Sequence, residues 1–85
     1  MSENKKLNVT INSIKKSFYD GQADIVIIKT PSGDIGVMAN HTPILTLLSN
    51  SHIKIKHDKK EFFFDIKDGI AQVFDNRLTI MDFSW

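Results

Sequence analysis

The chain has no cysteine, two prolines, four glycines and a single tryptophan among its 85 residues. Without cysteine there is neither a disulfide framework nor a thiolate metal site, a composition compatible with a reducing cytoplasm. No stretch approaches the roughly 20 consecutive apolar residues that cross a bilayer as a helix. The opening Met1-Ser2-Glu3-Asn4-Lys5-Lys6 lacks the apolar core of a secretory signal. An excess of one charge sign is also missing: 11 basic residues offset 10 acidic ones for a net charge of +1, and lysines and aspartates are interspersed. A nucleic-acid surface needs basic residues gathered on one face, so that partner class is set aside. No repeat, linker or low-complexity stretch is visible. The expectation is one small, soluble, intracellular domain over 1–85, with the polar tip 1–6 frayed. A chain this short buries only about 60–65% of its unfolded surface, which predicts modest stability.

What is present is strand periodicity. Leu7, Val9 and Ile11 alternate with Asn8, Thr10 and Asn12, and Ile53 and Ile55 alternate with Lys54 and Lys56. Phe62, Phe64 and Ile66 share one face opposite Glu61, Asp65 and Lys67, with Phe63 the exception. Ile70, Gln72 and Phe74 oppose Ala71 and Val73, and Leu78 and Ile80 close the series. Turn signals lie at Tyr19-Asp20-Gly21, Pro31-Ser32-Gly33, Asp58-Lys59, Asp68-Gly69 and Asp75-Asn76. Short strands at this spacing predict an all-β fold, a small two-sheet β-sandwich or flattened barrel of about eight to ten short strands. Ile25-Val26-Ile27-Ile28 is apolar on both faces; it reads as a central strand or as one whose outer face meets a protein. Residues 43–48 suit a strand or a short helical turn, since Pro43 fits the start of either.

Catalytic chemistry finds no foothold. His52 and His57 are five apart and would point to opposite faces of one strand. No His/Asp/Glu group has metal-ligand spacing. There is no strand-turn-helix elbow for a nucleophile and no Gly-Lys-Ser or Gly-Lys-Thr phosphate loop. Lys15-Lys16 and Lys59-Lys60 read as solvated turn or edge charges. No cofactor and no metal is expected.

The run Gly33-Asp34-Ile35-Gly36-Val37-Met38-Ala39-Asn40-His41-Thr42-Pro43-Ile44-Leu45-Thr46 is the densest motif in the chain. It resembles the signature of the epsilon subunits of F-type ATP synthases (delta in mitochondria), written G-E-L-G-I-x-P-G-H-x-P-L-L-T. The flanks agree: the Leu7-Val9-Ile11 strand, Phe18 and Gly21 before it, and 64–73 with Asp68-Gly69 after it. The resemblance covers nearly the whole chain and implies strand at 43–48. It implies a non-catalytic central-stalk subunit of a rotary ATPase. Its partners would be a gamma-like stalk subunit, the catalytic alpha and beta subunits of the same complex, and the membrane c-ring. It also implies a stalk interface at Asn40, His41, Thr42, Pro43 and Thr46, and a ring-facing turn at Gly33, Asp34, Ile35 and Gly36. The location implied is cytoplasmic and peripheral to the inner face of the cell membrane through the complex.

Each of these residues also has a plain reading. His41 suits a turn residue with one backbone hydrogen bond, and Asp34 a solvated turn carboxylate. Gly33 suits the φ > 0 position of a tight turn, and Gly36, inside a strand-like run, a bulge or close backbone approach. The chain also departs from the family pattern. Ala39-Asn40 replaces Pro-Gly before the histidine, Asn50-Ser51 replaces Pro-Gly before the next strand, and Lys67-Asp68-Gly69 replaces Ser-Gly-Gly. Asn tolerates left-handed backbone, so Asn40 keeps the turn at modest cost. The sequence stops at Trp85, where most bacterial members continue into a helical hairpin. The corresponding expectation is a motor without epsilon-type inhibition, with Trp85 as a terminal cap or docking residue. Without the resemblance, the alternative is a free-standing small β-barrel that binds a peptide or ligand through an exposed edge.

Overall fold

The computed structural model describes residues 5–83, so the expectations for Trp85 and for the tip 1–4 lie outside the described residues. Seven strands form: β1 (Leu7–Ser13), β2 (Ser17–Ala23), β3 (Ile25–Thr30), β4 (Gly33–Val37), β5 (Ile44–His57), β6 (Lys60–Phe74) and β7 (Arg77–Asp82). They hydrogen-bond in the order β2-β1-β7-β6-β5-β3-β4. Every neighbouring pair is antiparallel except β1 and β7, which run parallel.

A lone flat sheet leaves both faces wet, yet Val9, Val26, Ile53 and Leu78 are all 0% exposed. The sheet therefore folds over on itself into a sandwich, and β5 and β6 run through both layers. Residues 69–74 of β6 carry β7, whereas 53–56 of β5 carry β3. Each strand turns one face to a shared core that includes Leu7, Ile11, Ile28, Val37, Ile55, Ile66 and Ile80. The rings of Tyr19 on β2 and of Phe62 and Phe64 on β6 meet edge-to-face at centroid distances of 5.6 and 6.1 Å. These strands are not hydrogen-bonded neighbours, so the aromatic contact closes the layers at that end.

The corner explains why seven strands appear instead of the eight to ten read from the turn signals. Along β5, residues 44, 46 and 48 point inward, then both Ser49 and Asn50 are exposed, and Ser51, Ile53 and Ile55 take over the core face. β6 does the same: Phe64 and Ile66 face in, Lys67 and Asp68 face out, and Gly69, Ala71 and Val73 resume. The period-2 alternation slips by one residue in both strands at once, while the ladder keeps its register on both sides (Ser49 with Asp68, Ser51 with Ile66). Asn50-Ser51 and Asp68-Gly69 are thus bends inside continuous strands, not turns between strands. Tyr19-Asp20-Gly21 likewise lies within β2.

Asn50 makes the bend with φ at 47°, a left-handed geometry that Asn tolerates. Gly69 makes it by absence: a Cβ there would lie 2.4 Å from the Met81 carbonyl oxygen and 2.9 Å from Ile66 Cγ2. The buried Ser51 hydroxyl donates to the Lys29 carbonyl and ties the bend to β3. Both two-residue hairpins, Asp58-Lys59 and Asp75-Asn76, have positive φ at each central residue, the arrangement whose twist matches paired strands.

Candidate functional site

The motif occupies the β3–β4 turn, β4, the loop 38–43 and the start of β5. Gly33 has φ at 121°, as its turn position requires. Thr30 Oγ1 completes that turn, accepting from the Ser32 amide (3.2 Å) and donating to the Gly33 carbonyl (2.7 Å). Asp34 is exposed and lies across the pair from Lys29, and Ile35 lies across from Ile28 and packs against the core. Gly36 differs from expectation. It pairs regularly with Ile27, and a Cβ there would meet only Ile25 Cδ1 at 3.6 Å, so it marks neither a bulge nor a close approach.

The loop beyond β4 is held by side chains distant in sequence. Asn40 sits at φ 64°, the left-handed geometry expected of a residue in place of glycine. Its amide donates to Asn76 Oδ1 at 2.9 Å. Asn76, itself at φ 60°, donates through Nδ2 to the Lys6 carbonyl (2.9 Å), and its own carbonyl accepts from the Asn8 amide (3.2 Å). One asparagine in the β6–β7 hairpin thus fastens the motif loop and the entry to β1. The His41 amide closes a turn onto the Met38 carbonyl (3.2 Å), and its Nδ1 donates to the Thr42 carbonyl (2.8 Å). That bond fixes the proton on Nδ1 in the neutral ring and leaves Nε2 as an acceptor. Thr42 and Pro43 are exposed. Thr46 lies opposite Ala71, on the core-facing side of β5, half-buried, with its hydroxyl donating to the Leu47 carbonyl (3.2 Å).

The two predicted interfaces are therefore separate. Asn40, His41, Thr42 and Pro43 gather at one end of β4 and Gly33-Asp34 at the other, about 16 Å apart for a five-residue strand. Beside the first group lies a surface that pattern reading missed. Leu45 is 70% exposed, Leu47 68% and Phe74 63%. Leu47 lies opposite Ile70, and Ile70 opposite Met81, so an apolar row crosses three strands. Pro43, Leu45 and Phe74 line one shallow depression that joins this row to the motif loop. The available signal was Leu45-Thr46-Leu47-Leu48, where apolar residues occupy both faces of a strand.

Elsewhere several charged side chains are paired, while the buried Asn12 Oδ1 and His57 Nδ1 have no hydrogen-bond partner among the described residues. Lys6 Nζ bonds Asp24 and lies 3.7 Å from Asp58. The Lys6 hydrogen bond, with a second from the Asp58 amide, holds the Asp24 carboxyl below the usual carboxylate range, and Asp24 in turn raises Lys6. Asp24, His57 and Asp58 have the spacing of a cation site, but the Lys6 ammonium already supplies the positive charge there. Lys6 is thereby tied to Asp24, in the link between β2 and β3. His52 and Asp65 form an exposed pair at 2.6 Å on the second layer, and His57, on the other face of β5, stands 3.2 Å from Asp58.

The family model for the β-sandwich domain of the ATP synthase delta/epsilon chain matches residues 6–82. The chain belongs to that family. Similar proteins include the ATP synthase epsilon chain of Halorhodospira halophila, 35% identical over 77 residues, a match covering 88% of this chain and 55% of that one. The epsilon chain of Caulobacter vibrioides is 33% identical over 76 residues, covering 89% of this chain and 88% of its own length. A chain of the Euglena gracilis mitochondrial ATP synthase superposes with a TM-score of 0.87 at 18% identity, over 99% of this chain and 54% of that one, and shares the fold. The chain spans little more than half the length of the first curated relatives it matches. Among the described residues no helix is long and apolar enough to cross a membrane.

Proposed function

We propose that this chain is a non-catalytic central-stalk component of an F-type or F-like rotary ATPase that binds a gamma-like subunit. The observation that carries the reading is the continuity of the family's His-x-Pro loop with the exposed Leu45, Leu47 and Phe74 and the half-buried Ile70 beside them. An apolar surface of this kind, bordered by a polar loop fixed through Asn40 and Asn76, has the make-up of a protein interface. The turn with Gly33, Asp34, Ile35 and Gly36, at the far end of β4, faces a membrane ring in a standard synthase. There the chain joins stalk to ring, so that ion flow through the ring drives ATP formation on the alpha and beta subunits. The complex places it peripherally on the cytoplasmic face of the membrane.

The test is retention on an immobilised gamma-type stalk subunit. Thr46 faces the core side, so a charge there would unsettle the fold; His41→Glu with Leu45→Glu places charge only on the outer surface. That double variant is expected to elute in the flow-through while keeping its β circular dichroism spectrum. Lys54→Glu, on the other layer, is expected to bind as wild type. Equal retention of all three proteins would refute the interface.

A further inference from the structure

β3 begins to pair with β5 only at Ile53, so the side of 44–48 away from β6 has no strand partner among the described residues. Natural sheets guard such edges with charges, prolines or bulges, because a row of unpaired amides and carbonyls templates another strand. The other free edges here are guarded. Residues 60–66 of β6 carry Lys60, Glu61 and Asp65, β2 carries Asp20, and β4 carries Asp34 with two glycines. The segment Ile44-Leu45-Thr46-Leu47-Leu48 carries no charge at all.

Its side chains are also symmetric about Thr46. Leu45 and Leu47 point outward, Ile44 and Leu48 inward. We propose that this edge pairs with the same edge of a second copy of the chain, antiparallel about a two-fold axis through Thr46. Leu45 then lies beside Leu47 of the second copy on the outer face, Ile44 beside Leu48 of the second copy on the inner face, and Thr46 faces its twin. No like charges meet, and aliphatic cross-strand pairs form on both faces. The register cannot slip far, because Pro43 offers no amide at one end and Asn50, at φ 47°, bends the strand at the other. A two-fold contact uses the edge completely in both copies, so the assembly stops at a dimer instead of growing into a fibre. The inference does not rest on the stalk reading. A stalk subunit that covers Leu45 and Leu47 would displace the second copy.

The absence of cysteine makes the test clean. The purified chain is sedimented over a concentration series, and its mass is expected to rise from the 9.7 kDa of one chain toward twice that value. Opposed residues of an antiparallel pair have Cα atoms about 4.5–5.5 Å apart, within the span of a disulfide. Thr46→Cys should therefore crosslink to itself under mild oxidant. Leu45→Cys and Leu47→Cys should crosslink poorly alone and readily when mixed. Leu45→Lys with Leu47→Lys should sediment as a monomer. Leu45→Asp with Leu47→Lys should restore the dimer, since each aspartate then faces a lysine. A wild-type chain that stays at 9.7 kDa throughout would overturn the proposal. So would equal crosslinking by all three single cysteines, or a dimer that survives the double lysine substitution. None of these results depends on whether the stalk column retains the chain.

Discussion

The β5–β6 ladder presents two unlike surfaces from the same two strands. Where 44–49 pairs with 68–74, the outward residues include Leu45, Leu47, Ile70 and Phe74. Where 51–57 pairs with 60–66, they are His52, Lys54, Lys56, Glu61, Phe63 and Asp65. In the second half the charges answer one another: Glu61 lies 3.5 Å from Lys54 and 3.9 Å from Lys56, and His52 lies 2.6 Å from Asp65. Exposed pairs of this kind contribute about 0–1 kcal/mol each, so they serve solubility more than stability. The first half has no such dressing. A one-residue slip at Asn50 and at Lys67-Asp68 lets one uninterrupted ladder switch from a charged outer surface to a largely apolar one.

The largest effect should come from putting charge on the apolar half. Burial of an unpaired charge at an interface costs about 2–5 kcal/mol, so Leu45→Glu should weaken stalk binding by two to three orders of magnitude in a titration by calorimetry. Lys54→Glu on the charged half should change it by less than a factor of about 3.

The corner between the halves gives the next test. Gly69→Ala forces a Cβ against the Met81 carbonyl and should destabilise the domain by about 1–3 kcal/mol in urea unfolding. Gly36→Ala, with 3.6 Å to its nearest neighbour, should leave stability unchanged or raise it by about 0.4–1 kcal/mol. Similar losses at both positions would mean that the bend is not where the constraint lies.

The hairpins sharpen the comparison further. Lys59 holds φ at 67° with no side-chain hydrogen bond among the described residues to offset it, and a left-handed residue costs about 1–2 kcal/mol. Glycine recovers most of that and loses part to unfolded-chain entropy, so Lys59→Gly should stabilise by about 0.5 kcal/mol. Asn76→Gly removes the bonds to Asn40 and Lys6 and should destabilise by about 1–2 kcal/mol despite the same favourable φ.

The smallest effect concerns pH. Asp24 is depressed first by its bond from Lys6, then by the Asp58 amide, so its contribution is complete above the unfolded carboxylate pKa and fades as pH falls through the lower folded value. Lys6 is raised, so its share is complete below the ordinary lysine value and fades as pH rises through the elevated one. A carboxyl NMR titration should find Asp24 below the ordinary range, and Lys6→Met should move it part of the way back, since the Asp58 amide bond remains.

Much of the fold was legible where alternation was clean. β1, the Gly33 turn and the Asp75-Asn76 hairpin follow from local chemistry, and so does the left-handed Asn40. The continuity of β5 and β6 was not, because a sandwich corner breaks the alternation just as a turn does, and Asn50 and Gly69 are turn-forming residues. The motif grouped Thr46 with the loop around His41, but nothing local to the motif shows that its parity with Ile44 and Leu48 turns the Thr46 side chain toward the core side. Leu45 and Leu47 were hidden for a related reason: an aliphatic residue in a strand reads as core until its neighbours show which face is occupied. The bond from Asn40 to Asn76 joins residues 36 apart and has no local signature.

The parallel pairing of β1 with β7 has a consequence in time. Asn8 lies beside Arg77 and Ser13 beside Asp82, so the first strand made gains its second neighbour only from the last. On the ribosome β1 and β2 can close as a hairpin early, but the sheet between them and β6 stays open until β7 emerges from the exit tunnel. Such long-range closure is slow relative to local pairing. During that interval the Leu7, Val9 and Ile11 face has no lid, and a chaperone that shields nascent apolar strands would act on β1 more than on any strand made after it.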